Sequence, residues 1–423
     1  MKHAFQQYDV LSDFSAAPVE EDEGSSARRR FAGRFALYIF LGLVLLACNL
    51  QGQYLLLPYS LEDLGRLLYR ITFFVVLPFR GLVCAVIPAV NHHWSLAHHV
   101  VTCLGTPFFL AGVWRVGANS IRHLRRRRIA DPAQETAISR RQFFTRSAVG
   151  VVGLASGGVG SYATLIAPEK VRLRRYDYPV ADLPRELEGL RVLHVSDTHY
   201  GPFVAMPYLR DVFDRANALR PDLVLLTGDY VHYSPESVEP GIEVLSRLKA
   251  RFGAVAVMGN HEHWEGTAYC QAQFKKIGLP LIDNANLFLT SSGLRSDAVP
   301  GHSLCLAGIG DLWEDEVDFE KALAGAPADM PRLLLSHNPD AAEKVAAGQR
   351  IDLMLSGHTH GGQIAFPLIG APVSPSRFGD KYIGGLCQGP NCRVLVSRGV
   401  GMAGIPLRFG VPPELGLITL HRA

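Results

Sequence analysis

Residues 191–199 read R-V-L-H-V-S-D-T-H, an apolar run closed by an acid and an imidazole two positions apart. Apolar and β-branched residues in so short a run favour a buried strand, and the abrupt switch to D-x-H puts both polar groups at its carboxyl end. The pattern recurs. Strand-like runs at 222–227, 254–258, 332–336 and 351–356 end on Gly228-Asp229, Gly259-Asn260-His261-Glu262, His337 and Gly357-His358-Thr359-His360. An α/β sheet delivers strand-end residues into a common crevice, so five distant segments are expected to converge on one site.

The residue types narrow the chemistry. Carboxylates, neutral imidazoles and a carboxamide oxygen suit Mn, Fe, Zn or Ni, with Mn favoured, and the absence of a thiolate argues against a structural zinc knot. Two cations roughly 3.5–4 Å apart can clamp the attacking and leaving oxygens of a phosphoryl group. One ligand must then serve both ions. A strand-end carboxylate such as Asp229 suits that task, each of its oxygens facing one ion. Any one of these histidines could be an ordinary core residue, but five motifs in order, each behind an apolar strand, are hard to assign to packing alone.

The series D-x-H, G-D, G-N-H-[DE], H, G-H-x-H resembles the signature of the calcineurin-like metallophosphoesterases, and the resemblance covers about residues 168–423 with every position filled. It implies an α/β fold: a four-layer sandwich of two mixed β-sheets flanked by helices, with the metals at one edge. It also implies that Asp197, His199, Asp229 and His360 hold one divalent metal ion and that Asp229, Asn260, His337 and His358 hold the other. His261 would contact the phosphate and protonate the leaving group. The strings S-H-N-P-D at 336–340, G-H-T-H-G-G-Q-I at 357–364 and S-R-G at 397–399 look like a membrane-linked bacterial branch with Tat-exported phosphodiesterases and UDP-2,3-diacylglucosamine hydrolases.

Other polar residues near the motifs carry less. His194, inside the first strand, and His263 are expected to be structural. Asp283, Asn284 and Asp311 follow apolar runs and either line the site or make turns. Tyr230, His232 and Tyr233 follow Asp229 and read by default as a surface loop, with substrate contact as the alternative, and Arg398 as either a phosphate contact or a solvated side chain.

At 423 residues the chain suggests two or three units, and its 19% charged content is low for a soluble enzyme. A net charge of +3, with no basic stripe interleaved with aromatics in the second half, speaks against nucleic-acid binding. Residues 1–34 read as a polar, disordered tail, 35–135 as a helical membrane region and 136–167 as a signal or anchor, ahead of the phosphoesterase domain at 168–423. Apolar runs lie at 35–57, 71–90, 100–118 and 147–167; Arg80 and two prolines weaken the second as a span. Basic clusters at 28–34, 122–128 and 140–146 favour the cytoplasm, so either the second run is re-entrant or the amino terminus lies outside and three runs cross.

S-R-R-Q-F-F at 139–144 matches a twin-arginine export pattern, the favoured reading, which would make the Tat translocase a partner; a plain positive-inside flank before a transmembrane helix is the alternative. Both place the catalytic domain on the outer side of an inner, multi-pass membrane if the fourth run crosses. Cys387 and Cys392 flank a hairpin loop where export would permit a disulfide, although free thiols are the simpler account.

The expected function is a membrane-associated, dinuclear metal-dependent phosphoesterase acting on phosphodiester or pyrophosphate bonds of a lipid-linked or envelope substrate. Two alternatives stand beside it: UDP-2,3-diacylglucosamine pyrophosphohydrolase activity in lipid A synthesis, and a non-catalytic membrane scaffold or sensor on the same fold.

Overall fold

The computed structural model describes residues 159–160, 162–232 and 234–423. The expected tail and membrane region, most of the signal or anchor segment, and Tyr233 lie outside the described residues. Among the described residues no helix is long and apolar enough to cross a membrane.

Two sheets carry the domain. The first holds β1 (Arg172–Val180), β12 (Glu414–Arg422), β2 (Leu190–Val195), β3 (Leu223–Thr227) and β4 (Ala254–Val257) in that spatial order. Pairing is parallel throughout except between β12 and β2. In the second the order is β10 (Gly385–Gln388), β11 (Arg393–Val396), β9 (Leu353–Ser356), β8 (Arg332–Leu335), β7 (Leu304–Gly308), β5 (Ala285–Thr290) and β6 (Gly293–Arg295). There β11, β9, β8 and β7 run parallel and the flanking pairs antiparallel. Both sheets are therefore mixed, as expected.

Alternation along the strands builds the layers, because successive side chains leave opposite faces. Leu223 and Leu225 of β3 join Leu333 and Leu335 of β8 in the core between the sheets. Val224 and Leu226 instead face α1 (Met206–Ala218), α2 (Val238–Glu243) and α3 (Asn260–Ile277), packing with Leu209, Ile242 and Phe274. On the far side Leu334 and Met354 pack with Ala322 of the short α4 (Phe319–Ala322) and with Ala341 and Ala342 of a 3₁₀ segment. The result is the four-layer sandwich.

The sequence predicts one helix over 238–249, whereas α2 stops at Glu243 and a 3₁₀ turn covers Val244–Arg247. Gly241 faces the Val231 side chain so closely that a Cβ would sit 2.9 Å from it, so the position favours glycine at a cost in helix propensity. The hairpin around 388–393 is present as β10 and β11, and Cys387 and Cys392 are both free thiols.

Candidate metal centre and cleft

The five motif segments leave the carboxyl ends of β2, β3, β4, β8 and β9 and meet at one edge of the sandwich. Their backbone is unusual. Asp197, His199, Asp229, His358 and His360 all adopt left-handed conformations, φ between 46° and 69°. Each such residue costs about 1–2 kcal/mol when it is not glycine, and strain of this kind gathers where a site demands it.

Glycines make room for these turns. A Cβ on Gly357 would collide with Ser196 Oγ and an Asp197 carboxylate oxygen, and one on Gly259 would collide with Asp229 Oδ1. Gly228 combines φ of +88° with a neighbouring His337 ring that a Cβ would meet at 2.8 Å.

Two groups of donors result. Asp197, His199 and His360 form the first, with His360 Nε2 3.2 Å from Asp197 Oδ1 and 2.9 Å from His199 Nε2. Asp229, His337 and His358 form the second, with His337 Nε2 3.1 Å from Asp229 Oδ2 and from His358 Nδ1. His337 Nδ1–H donates to the Thr227 carbonyl at 2.7 Å, which leaves Nε2 as the free donor atom. Asp229 joins the groups, but not with one oxygen for each. Oδ2 alone lies 3.5 Å from His199 Nε2 and 3.1 Å from His337 Nε2, while Oδ1 accepts the His261 backbone N–H at 3.0 Å.

Burial tests whether cations fit. All seven expected ligands are buried, and Asn260 Oδ1, His199 Nδ1 and His358 Nε2 have no hydrogen-bond partner. Buried carboxylate, imidazole and carboxamide donors converging without thiolate match the donor set of a borderline divalent cation. Desolvation opposes charge on both carboxylates, yet the neighbouring histidines hold Asp197 and Asp229 below the usual carboxylate range. Against its own burial, His337 is pushed up to about 10 by the Asp229 carboxylate. Burial drops His358 to about 3.

His261 stands apart from both groups. It lines a cleft of about 440 Å³ together with Asp229, Asn260, His358 and His360. Its Nδ1 is 3.1 Å from His232 Nδ1 and its ring packs against Trp264 at 4.7 Å. Trp313 covers His358, here edge to face at 4.3 Å.

The calcineurin-like phosphoesterase family model matches residues 190–362. The metallophosphoesterase YkuE of Bacillus subtilis (strain 168) is 31% identical over 289 residues, 67% of this chain and 98% of that protein. The chain belongs to the calcineurin-like phosphoesterase family. It is similar as well to phosphodiesterase YaeI of Escherichia coli (strain K12), 32% identical over 67% of this chain and 99% of that one. A transmembrane protein with a metallophosphoesterase domain from Danio rerio is 32% identical over 62% of this chain and 60% of its own length. Membership makes this domain a metal-dependent phosphoester hydrolase.

The metallophosphoesterase site also contains residues that the motifs do not announce. His232, expected on a surface loop, is buried beside His261 and His199; Tyr230 is buried too, its hydroxyl donating to the Val257 carbonyl at 2.7 Å. Both turn inward because the backbone here is fixed from below. Glu262 accepts N–H bonds from Asp229, Tyr230, Val231 and Gly259 at 2.7–3.2 Å. Burial and the Asp229 charge push its carboxyl up to about 8 against the pull of those donors. Arg408 is fully buried, donates to the carbonyls of Arg398 and Gly401, and lies 3.3 Å from His360 Nδ1. Nothing in its neighbourhood of sequence marks it; only the fold brings it there.

The weaker expectations sort cleanly. His194 bonds Thr227 Oγ1 and His263 bonds Thr267 Oγ1, both structural. Asp283, Asn284 and Asp311 cap backbone N–H groups of Met258, Gly310 and Trp313. Arg398 pairs with Glu414 at 3.5 Å.

Proposed function

We propose that two divalent cations serve this domain, one held by Asp197, His199, Asp229 and His360 and the other by Asp229, Asn260, His337 and His358. The substrate is a phosphodiester or pyrophosphate bond of a lipid-linked or envelope molecule, met at a membrane to which the chain is attached, with the domain on the outer side. The observation that carries the two-cation reading is Asp229 Oδ2, which faces His199 and His337 at once. The membrane part is supported by the apolar runs before residue 168 and by the name of the Danio rerio relative, a transmembrane protein.

When bound, the cations would polarise the phosphoryl group and activate a water near neutral pH. The chain does the rest. His261, with Nδ1 engaged by His232, keeps Nε2 for the phosphate and hands a proton to the departing oxygen. Trp264 and Trp313 wall the cleft and lower its polarity, which strengthens each charge contact inside it.

Metal analysis and hydrolysis of bis(p-nitrophenyl) phosphate by Asp229→Asn test this reading. Both metal content and turnover should collapse, because a neutral amide bridges two cations poorly. Full turnover with two metals per chain would end the bridging role. A reporter active only outside the cytoplasm, fused after Ala423, should be active; a signal only from a cytoplasmic reporter would reverse the orientation.

A further inference from the structure

One surface of the domain is apolar without any fold-level reason. Phe366 and Gly370 close a tight loop through two mutual backbone hydrogen bonds, at 2.9 and 3.0 Å. At its tip Leu368 is 107% exposed and Ile369 77%, with Val373 at 71% just beyond. Leu368 also holds φ of +69°, a conformation that glycine or asparagine adopts with less strain. Between residues 364 and 378 there is no acidic side chain and a single basic one, Arg377.

The loop is continuous with the cleft. Ile364, Pro372, Val373 and Pro375, at its base, line the same cavity as His261 and His358. Two half-exposed tryptophans, Trp264 and Trp313, line that cavity too, and indole favours the boundary between water and lipid.

Its base is also where the chain arrives from the apolar runs. The Ala163 carbonyl accepts the Arg408 N–H at 3.0 Å, and the next residue, Phe409, bonds Gln363 and Ala365 and packs its ring on Phe366 at 5.6 Å. Val159, Leu165 and Ile166, each about half exposed, sit on that arriving segment. The described segment that follows the apolar runs thus lies beside this rim.

We propose that the 366–373 loop, with the exposed side chains of Val159, Leu165 and Ile166 on the segment beside its base, docks into a lipid bilayer surface, so that the phosphoesterase cleft opens onto the membrane. The substrates it admits are phosphoesters whose apolar part stays in lipid while the phosphate reaches the metal centre. The docking surface stands on exposure and connectivity alone; the substrate class rests on the proposed function as well.

The test uses the full chain in vesicles of phosphatidylcholine doped with a diazirine-bearing phosphatidylcholine. After illumination, mass spectrometry should find lipid adducts on 366–369 as well as in the earlier segments. Adducts confined to residues before 168 would overturn the docking surface. So would cross-links from Leu368 only to the chain's own earlier segments or to a second copy. The double variant Leu368→Asp, Ile369→Asp, whose side chains lie outside the cleft lining, then separates access from chemistry. Its rate on bis(p-nitrophenyl) phosphate should stay within about twofold of the parent. On hexadecyl p-nitrophenyl phosphate held in vesicles it should fall about tenfold, the scale expected when tethering and insertion set local concentration. Equal loss on both substrates, or on neither, would overturn the substrate class. Lipid adducts on the loop of a chain that hydrolyses neither diester would leave the docking surface standing and sink the proposed function instead.

Discussion

At the scale of single residues, the metal centre is held by groups whose charge states depend on one another, and His337 shows the consequence most directly. The Asp229 carboxylate raises its imidazole from 6.5 to about 10. The resulting ion pair supports the fold fully below pH 6.5 and fades as pH climbs through 10. A cation needs that nitrogen neutral, so loading must expel a proton over the same window. Titration calorimetry with Mn or Zn at pH 8, in buffers of different ionisation enthalpy, should therefore report about one proton released per chain at this position; buffer-independent heats would contradict it. His261→Ala tests the other role. Metal content should be unchanged while turnover of a small diester drops by about 10²–10⁴, the usual cost of losing a general acid. Loss of both metals would make His261 a ligand. That the seven expected ligands and His261 would gather at one place was legible, because each follows an apolar strand-like run within a few residues. The buried contacts of His232, Glu262 and Arg408 were not, although Glu262 stands in a motif, since their partners lie 29, 31 and 48 residues away and meet them only when the chain has folded.

Among the elements, the strand ends and the turns beyond them are where sequence and structure agree most closely. Apolar runs at 222–227 and 332–336 become β3 and β8 almost residue for residue, because both faces of these strands are buried and no other element tolerates so continuous an apolar stretch. Pairing order is another matter. Nothing local to Arg172–Val180 says that it lies against the last strand of the chain, so the order of the first sheet had to come from the fold. The turns depend on glycine for space rather than flexibility. At Gly357 the missing Cβ is the space occupied by Ser196 and Asp197. Gly357→Ala should thus displace the Asp197 carboxylate, cost about 1–3 kcal/mol as an overpacked site does, and lower metal content together with the melting temperature. An unshifted melting curve with full metal occupancy would show that the loop can yield without consequence.

For the molecule as a whole, the position of β12 matters more than its length. It inserts between β1 and β2, pairing with β1 along all nine residues and with β2 along five. Its Glu414 also anchors Arg398 and Arg174 near the site. Removing residues 414–423 should leave no cooperative unfolding transition, measured by circular dichroism, rather than a slightly weakened domain; a truncated chain that melts sharply and keeps its metals would refute this. The same placement governs when folding can finish. β12 follows the other eleven described strands yet fills a place between β1 and β2, so those two strands keep an unpaired edge until it has been made. The hydrolase domain therefore acquires its final shape only once Glu414–Arg422 have been made, after every other described strand.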